Sequence, residues 1–188
     1  MYYYLILFVF LITTSTKAQL NNNCKKSSNN SKVIAVGGSI TEILYFLNLE
    51  KSIIGIDVTS NYPDEAKKIT SVGYVRNISS EGILSLNPSL IIGEDDMGPT
   101  GTIKQLNESK VDLRIIEENE NAYGILNKIY CIASIMGQQE NAEKIINEKL
   151  LNEIKELEEI KNQQILNNKK IMLVLSMQPS SIVVAGKN

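Results

Sequence analysis

The sequence predicts an α/β fold built on a parallel sheet. Two observations carry this. Short apolar runs (33–36, 53–56, 90–93 and 112–116) alternate with stretches in which apolar residues recur at helical spacing. Each run is short and continuous, as expected of strands buried on both faces by crossover helices.

The first run, Val33-Ile34-Ala35-Val36, ends in Gly37-Gly38. Ser39-Ile40-Thr41-Glu42 then fits a capping box, with Ser39 as N-cap and Glu42 three residues on. Ile40, Ile43, Leu44 and Leu47 continue as a helical stripe. Ile53 to Ile56 is a second strand, and 63–68 a short helix. Ser79 caps a helix that runs to Leu86 and is stopped by Pro88. Leu90 to Gly93 is a third strand, 101–107 an amphipathic helix and Leu113 to Ile116 a fourth strand. A helix over 120–136 is ended by Gly137, and a longer one over 140–164 carries Ile146, Leu150, Ile154, Leu157 and Ile160 on one face. Two further apolar strands follow, over 170–176 and 181–185. In such a sheet, binding loops lie at the carboxyl ends of the strands. The candidates are Gly37-Gly38, Asp57 to Tyr62, Gly73 to Arg76 and Glu94 to Gly101.

The chain has 188 residues, 43% of them hydrophobic, and a formal net charge of −2. It has no basic stripe of the kind that marks a nucleic-acid binder. It contains no histidine, which excludes histidine metal sites and histidine-based triads. No nucleotide-binding glycine pattern is present, so a small α/β enzyme is disfavoured.

Residues 1–12 are an apolar run too short to span a bilayer comfortably, and small and polar residues follow. This reads as a secretory signal peptide over 1–18, cleaved after Ala18, although no basic residue precedes the run; a retained anchor is the alternative. Residues 19–31 are rich in Asn, Ser and Lys and read as a disordered tether. Cys24 is preceded by three asparagines, which does not suit lipid attachment. Cys131 falls in an apolar helical pattern and reads as a core residue. An exported location would permit a disulfide, but the tether placement of Cys24 argues against one. Glu94-Asp95-Asp96 reads as a solvated loop bordering the binding edge, since adjacent carboxylates without further oxygen ligands are weak evidence for a metal.

The segment Val72-Gly73-Tyr74-Val75-Arg76 is the most specific feature. In extended backbone, residues two apart point the same way, so Tyr74 and Arg76 share a face. A guanidinium beside a phenol favours the ionised form, and tyrosine is a known haem-iron ligand. Three motifs occur in order: Gly37-Gly38-Ser39 with Thr41-Glu42-Ile43; Gly55-Ile56-Asp57 with Thr59-Ser60 and Tyr62-Pro63; then Val72 to Arg76 running on through Ser80-Glu81-Gly82 to Pro88. Over about 32–188 the chain resembles the haemin-binding proteins of bacterial haem ABC importers, periplasmic binding proteins of the helical-backbone class related to vitamin B12 and siderophore binders.

The resemblance implies a parallel Rossmann-like sheet lobe (32–137), a long linker helix (138–168) and the start of a second α/β lobe (169–188), with the family's second lobe truncated. It implies a non-enzymatic, periplasmic, monomeric protein whose ligand is haem and whose partner is an ABC permease in the inner membrane. Tyr74 would be the axial iron ligand, supported by Arg76, with Tyr62 as a cleft residue. Met97 is a further plausible contact. Glu81 would dock onto the permease; its plainer role is to sit favourably in a helix's first turn. A ferric siderophore or corrinoid is the alternative ligand, and a fragment unable to close on any ligand is the third reading.

Overall fold

The computed structural model describes residues 22–119, 121–162, 172–178 and 181–184. The expected signal peptide lies outside them. The chain lays down β1 (Val33–Val36), α1 (Gly38–Phe46), β2 (Ile53–Ile56), the short strands β3 (Gly73–Tyr74) and β4 (Asn77–Ile78), α2 (Ser80–Ser85), β5 (Leu90–Glu94), α3 (Thr100–Glu108), β6 (Asp112–Ile116), α4 (Ala122–Met136), α5 (Gln139–Lys149), α6 (Leu151–Asn162), β7 (Val174–Gln178) and β8 (Ser181–Val184).

The main sheet has the order β2-β1-β5-β6, and every pairing in it is parallel. This is the sheet the four apolar runs predict. Val33 to Val36 are fully buried, as are Leu90 to Ile92, because helices cover both faces. One core layer joins α1, α4 and α5 to Val33, Ala35, Leu90 and Ile92. The other packs Ile34, Val36 and Ile91 under Ile83 and Leu106. Alternate strand residues thus feed opposite layers, as the pleat requires. β7 and β8 pair antiparallel with each other.

Some expectations hold at the level of single groups. The Ser79 side chain accepts a hydrogen bond from the Gly82 N–H at the start of α2. Gly137 closes α4 in the left-handed conformation at φ 69°.

Others need correction. Ser39 does not cap α1. The helix begins two residues earlier than that cap implies, Gly37 is its N-cap, and no side chain caps it. Ser39 Oγ is instead drawn to Glu94, to which it donates at 2.6 Å. The long helix expected over 140–164 is two helices joined at Leu150, whose φ and ψ are −121° and −33°. Neither proline nor glycine stands there, and nothing in the local sequence accounts for the change. Met97 is 6% exposed and packs in the second core layer, so it does not face a ligand.

The largest correction concerns 22–31, expected to be part of a free tether. Cys24 and Cys131 form a disulfide. Around it, Asn23 Nδ2 donates to the Ile115 carbonyl at 3.0 Å, Ser27 Oγ to Asp112 Oδ2 at 2.7 Å, and Asn30 Nδ2 to the Met136 carbonyl at 2.9 Å. The polar composition suggested a solvated segment. Its polar side chains bond two carbonyls and one carboxylate of β6 and α4.

Candidate functional site

The carboxyl ends of the strands bring four loops together, and two polar hubs fix them. The first is Asp57, just past β2 and 1% exposed. Its carboxylate accepts from the Gly37 N–H at 2.9 Å, the Thr59 N–H at 2.8 Å and Ser60 Oγ at 2.8 Å. Ser60 Oγ also lies 2.8 Å from Thr41 Oγ1 on α1. A buried carboxylate needs such donors, and here they tie the loop after β1 to the loop after β2.

The second hub is Lys128 on α4, 6% exposed. Its ammonium lies 3.0 Å from Glu94 Oε1, pairs with Glu118 and donates to Ser39 Oγ at 2.5 Å. It therefore joins the start of α1 and the loops after β5 and β6. Gly37 belongs to this arrangement. Its φ is 125°, and a Cβ there would lie 2.3 Å from Glu94 Cδ. Only glycine gives both the backbone conformation and the space.

Tyr74 ends β3, and Arg76 stands in the two-residue turn that joins it to β4. This hairpin is held on both sides. The Val58 N–H donates to the Gly73 carbonyl at 2.8 Å, and the Gly98 N–H to the Val75 carbonyl at 2.9 Å. The Ile78 N–H donates to the Gly98 carbonyl at 3.0 Å. Tyr74 is 44% exposed, Val75 is 5% exposed and Arg76 is exposed. Tyr74 and Arg76 face solvent and Val75 the core, but Val75 and Arg76 form the turn between the strands, so it is the turn and not extended backbone that sets these directions.

Arg76 Nε and Nη2 both reach Asp96 Oδ2, at 2.9 and 2.8 Å. The hydrogen bond to Asp96 first, and the Tyr74 phenol next to it, hold the guanidinium charged even more firmly than usual. Arg76 thus serves two neighbours, and its principal partner is a carboxylate. The three adjacent acids are each taken separately: Glu94 by Ser39 and Lys128, Asp96 by Arg76, and Asp95 as acceptor of the Glu118 N–H at 3.3 Å.

Tyr62 stands elsewhere. It is 68% exposed and lines a groove of about 610 Å³ together with Ile43, Phe46, Ile125 and Ile129, closed at one end by Ser39, Glu118 and Lys128. Neither Tyr74 nor Arg76 is among the groove's walls. Glu81 is exposed in the first turn of α2, and among the described residues no ion pair engages it.

Sequence reasoning missed Asp57, Lys128 and the pairing of Asp96 with Arg76. Lys128 left a signal, since it is the one charged residue between Ala122 and Met136. Asp57 and Asp96 left none beyond their place in candidate loops.

A parallel sheet with its binding loops gathered at the carboxyl edge defines a ligand-binding lobe. The chain belongs to the periplasmic binding protein family, whose pattern matches residues 33–188. These are substrate-binding proteins, not enzymes. Among solved structures, the periplasmic heme-binding protein RhuT from Roseiflexus sp. RS-1 is similar at 28% identity and a TM-score of 0.74, over 85% of this chain and 60% of that one. Among curated proteins, the ABC transporter substrate-binding lipoprotein YvrC of Bacillus subtilis is 25% identical over 84% of this chain and 50% of its own length. The vitamin B12-binding protein of Pectobacterium carotovorum is 33% identical over 75 residues, 40% of this chain and 27% of its own length. The chain thus spans about half the length of this Bacillus relative and about a quarter of the vitamin B12-binding one.

Proposed function

We propose that this chain is the haem-binding lobe of an exported component of an ABC-type haem importer, which delivers haem to a membrane permease. The observation that carries the reading is the exposed Tyr74–Arg76 pair on a hairpin clamped from both sides. Tyr74 supplies the axial phenolate oxygen to haem iron, and Arg76 stabilises its negative charge. Tyr62 offers an aromatic face in the neighbouring groove, and Glu81 docks onto cationic groups of the permease. The protein acts as a monomer in the periplasm, its signal peptide removed after Ala18. Residues 32–137 form the binding lobe, the segment 138–168 with its helices α5 and α6 links it to a second lobe, and 169–188 begin that lobe. The likeness to the Roseiflexus heme-binding protein supports haem.

A corrinoid is the second reading, favoured by the 33% identity to a vitamin B12-binding protein. Absorption titrations separate the two. Wild-type protein and Tyr74→Phe are each titrated with ferric haem, with iron-free porphyrin and with a corrinoid. The expected result is a tyrosinate-type haem spectrum in the wild type, lost in Tyr74→Phe with roughly a tenfold or greater weakening. Iron-free porphyrin should bind both proteins equally, since it has no metal for the phenolate. An unchanged haem spectrum and affinity in Tyr74→Phe would remove the assignment, and tight corrinoid binding would replace it.

A further inference from the structure

The strap 22–31 is unlike the rest of the fold. Apart from Cys24 its residues are Asn, Lys and Ser, so it has almost no apolar surface to bury. Its noncovalent ties include hydrogen bonds from Asn23 to Ile115, from Ser27 to Asp112 and to the Ile135 carbonyl, from Asn30 to Met136 and from Arg114 to the Asn23 carbonyl. Such bonds are exchanged against bonds to water, and they do not offset the entropy lost on ordering the whole segment. The covalent tie between Cys24 and Cys131 therefore decides whether the strap stays in place.

What lies beneath the strap gives this tie a consequence. The strap runs beside β6, an edge strand of the parallel sheet. Asn23, Cys24 and Cys131 wall a cavity of about 150 Å³, and Lys128 and Asn119 line that cavity as well. Lys128 and Asn119 also line the large groove, so both spaces border them. The lysine that pins Ser39, Glu94 and Glu118 thus has the disulfide and its neighbours on its strap side.

We propose that the Cys24–Cys131 disulfide is a redox latch: closed, it holds the strap on β6 and α4, beside the pocket that Lys128 lines; opened, it frees the strap and widens that pocket, so that more water reaches the lysine. The co-reactant is a dithiol. One of its thiolates attacks the Cys24 sulfur, the more exposed of the pair. A mixed disulfide forms and the Cys131 thiolate leaves and takes up a proton. The second thiol of the reagent then attacks the mixed disulfide and releases Cys24, so the reagent is oxidised by two electrons and the protein gains two thiols. Water behind Lys128 weakens its pairing with Glu94 and Glu118 by raising the local dielectric, and the loops after β1, β5 and β6 gain freedom.

The test is amide hydrogen exchange on the full chain, oxidised and after dithiothreitol, with thiol labelling to establish the redox state. Reduction should raise exchange at least tenfold in 22–31 and measurably in 112–118, while 33–36 in the central strand stays protected. Cys24→Ser should exchange like the reduced protein with or without dithiothreitol. Unchanged exchange in 22–31 after labelling shows two free thiols would overturn the latch. So would loss of protection at 33–36 in both the reduced protein and Cys24→Ser, because the bond would then hold the whole fold. Two free thiols in the protein as exported would overturn it as well.

Discussion

Replacing Lys128 by methionine tests the hub on which three binding-edge loops depend. Methionine keeps most of the apolar stem and removes only the charge and its donors. Glu94, with 18% of its side chain exposed, would lose its cationic partner and keep the Ser39 hydroxyl. Breaking a buried ion pair by removing one member costs about 3–5 kcal/mol when the other charge stays buried. The Glu118 side chain is 45% exposed, so water replaces Lys128 there at little cost. Glu94 is not fully enclosed either, which brings the expected loss to about 2–4 kcal/mol. Urea denaturation near neutral pH measures it as a lower midpoint at unchanged slope. Adding Glu94→Gln removes the stranded charge, so the double variant should recover more than half of the loss. A loss below about 1 kcal/mol, or no recovery in the double variant, would show that the cluster is solvated and does not organise the loops.

Asp112 gives the strap a pH dependence: burial pushes its carboxyl up, but the bonds from Arg114 and Ser27 outweigh this, and the net shift is downward. Its contribution is therefore complete above the unfolded value of about 3.9 and is lost as pH falls through the folded value, so stability should drop more steeply below about pH 4 in the wild type than in Asp112→Asn, and equal slopes would reject the assignment. Gly37→Ala should cost at least about 2 kcal/mol in the same urea assay, because a Cβ at φ 125° would run into Glu94; a loss under about 0.5 kcal/mol would mean that Glu94 moves aside freely.

The sheet was legible because its signal is strong and local. Four continuous apolar runs with helical stretches between them allow few arrangements, and the parallel order follows from crossover connections. The Tyr74–Arg76 juxtaposition was expected from the period of extended backbone, but Arg76 stands in the hairpin turn, and the turn is what brings it beside Tyr74. The Cys24–Cys131 pairing was not. The two residues are 107 apart in sequence, and a polar N-terminal stretch gives no local sign that its amides will meet β6. Asp57 and Lys128 were hidden for the same cause. Their roles depend on which loops the fold gathers at one edge, and nothing about an aspartate after a strand or a lysine in a helix specifies that. Ser39 shows a local rule losing to a tertiary one. A serine placed correctly for a capping box binds a carboxylate 55 residues away instead.

The two hubs carry opposite charges and join in α1. Asp57 holds the first turn from the side of β2, through the Gly37 N–H and through Ser60 against Thr41. Lys128 holds it from the side of β6, through Ser39. The hairpin bearing Tyr74 lies between the loops that these hubs secure, and its clamps are backbone bonds from Val58 and Gly98. Val58 follows Asp57 directly, and the Gly98 loop begins at Glu94, so each clamp is one short step from a buried charged group. Buried ion pairs contribute little net stability compared with apolar packing, and their use here fits a need for fixed geometry. An iron-binding phenol requires its oxygen to be held in place while the ring stays open to the ligand. A hairpin clamped through the Gly73 and Val75 carbonyls, with Tyr74 and Arg76 left exposed, meets both requirements, whereas an apolar core reaching Tyr74 would hold the ring by covering it.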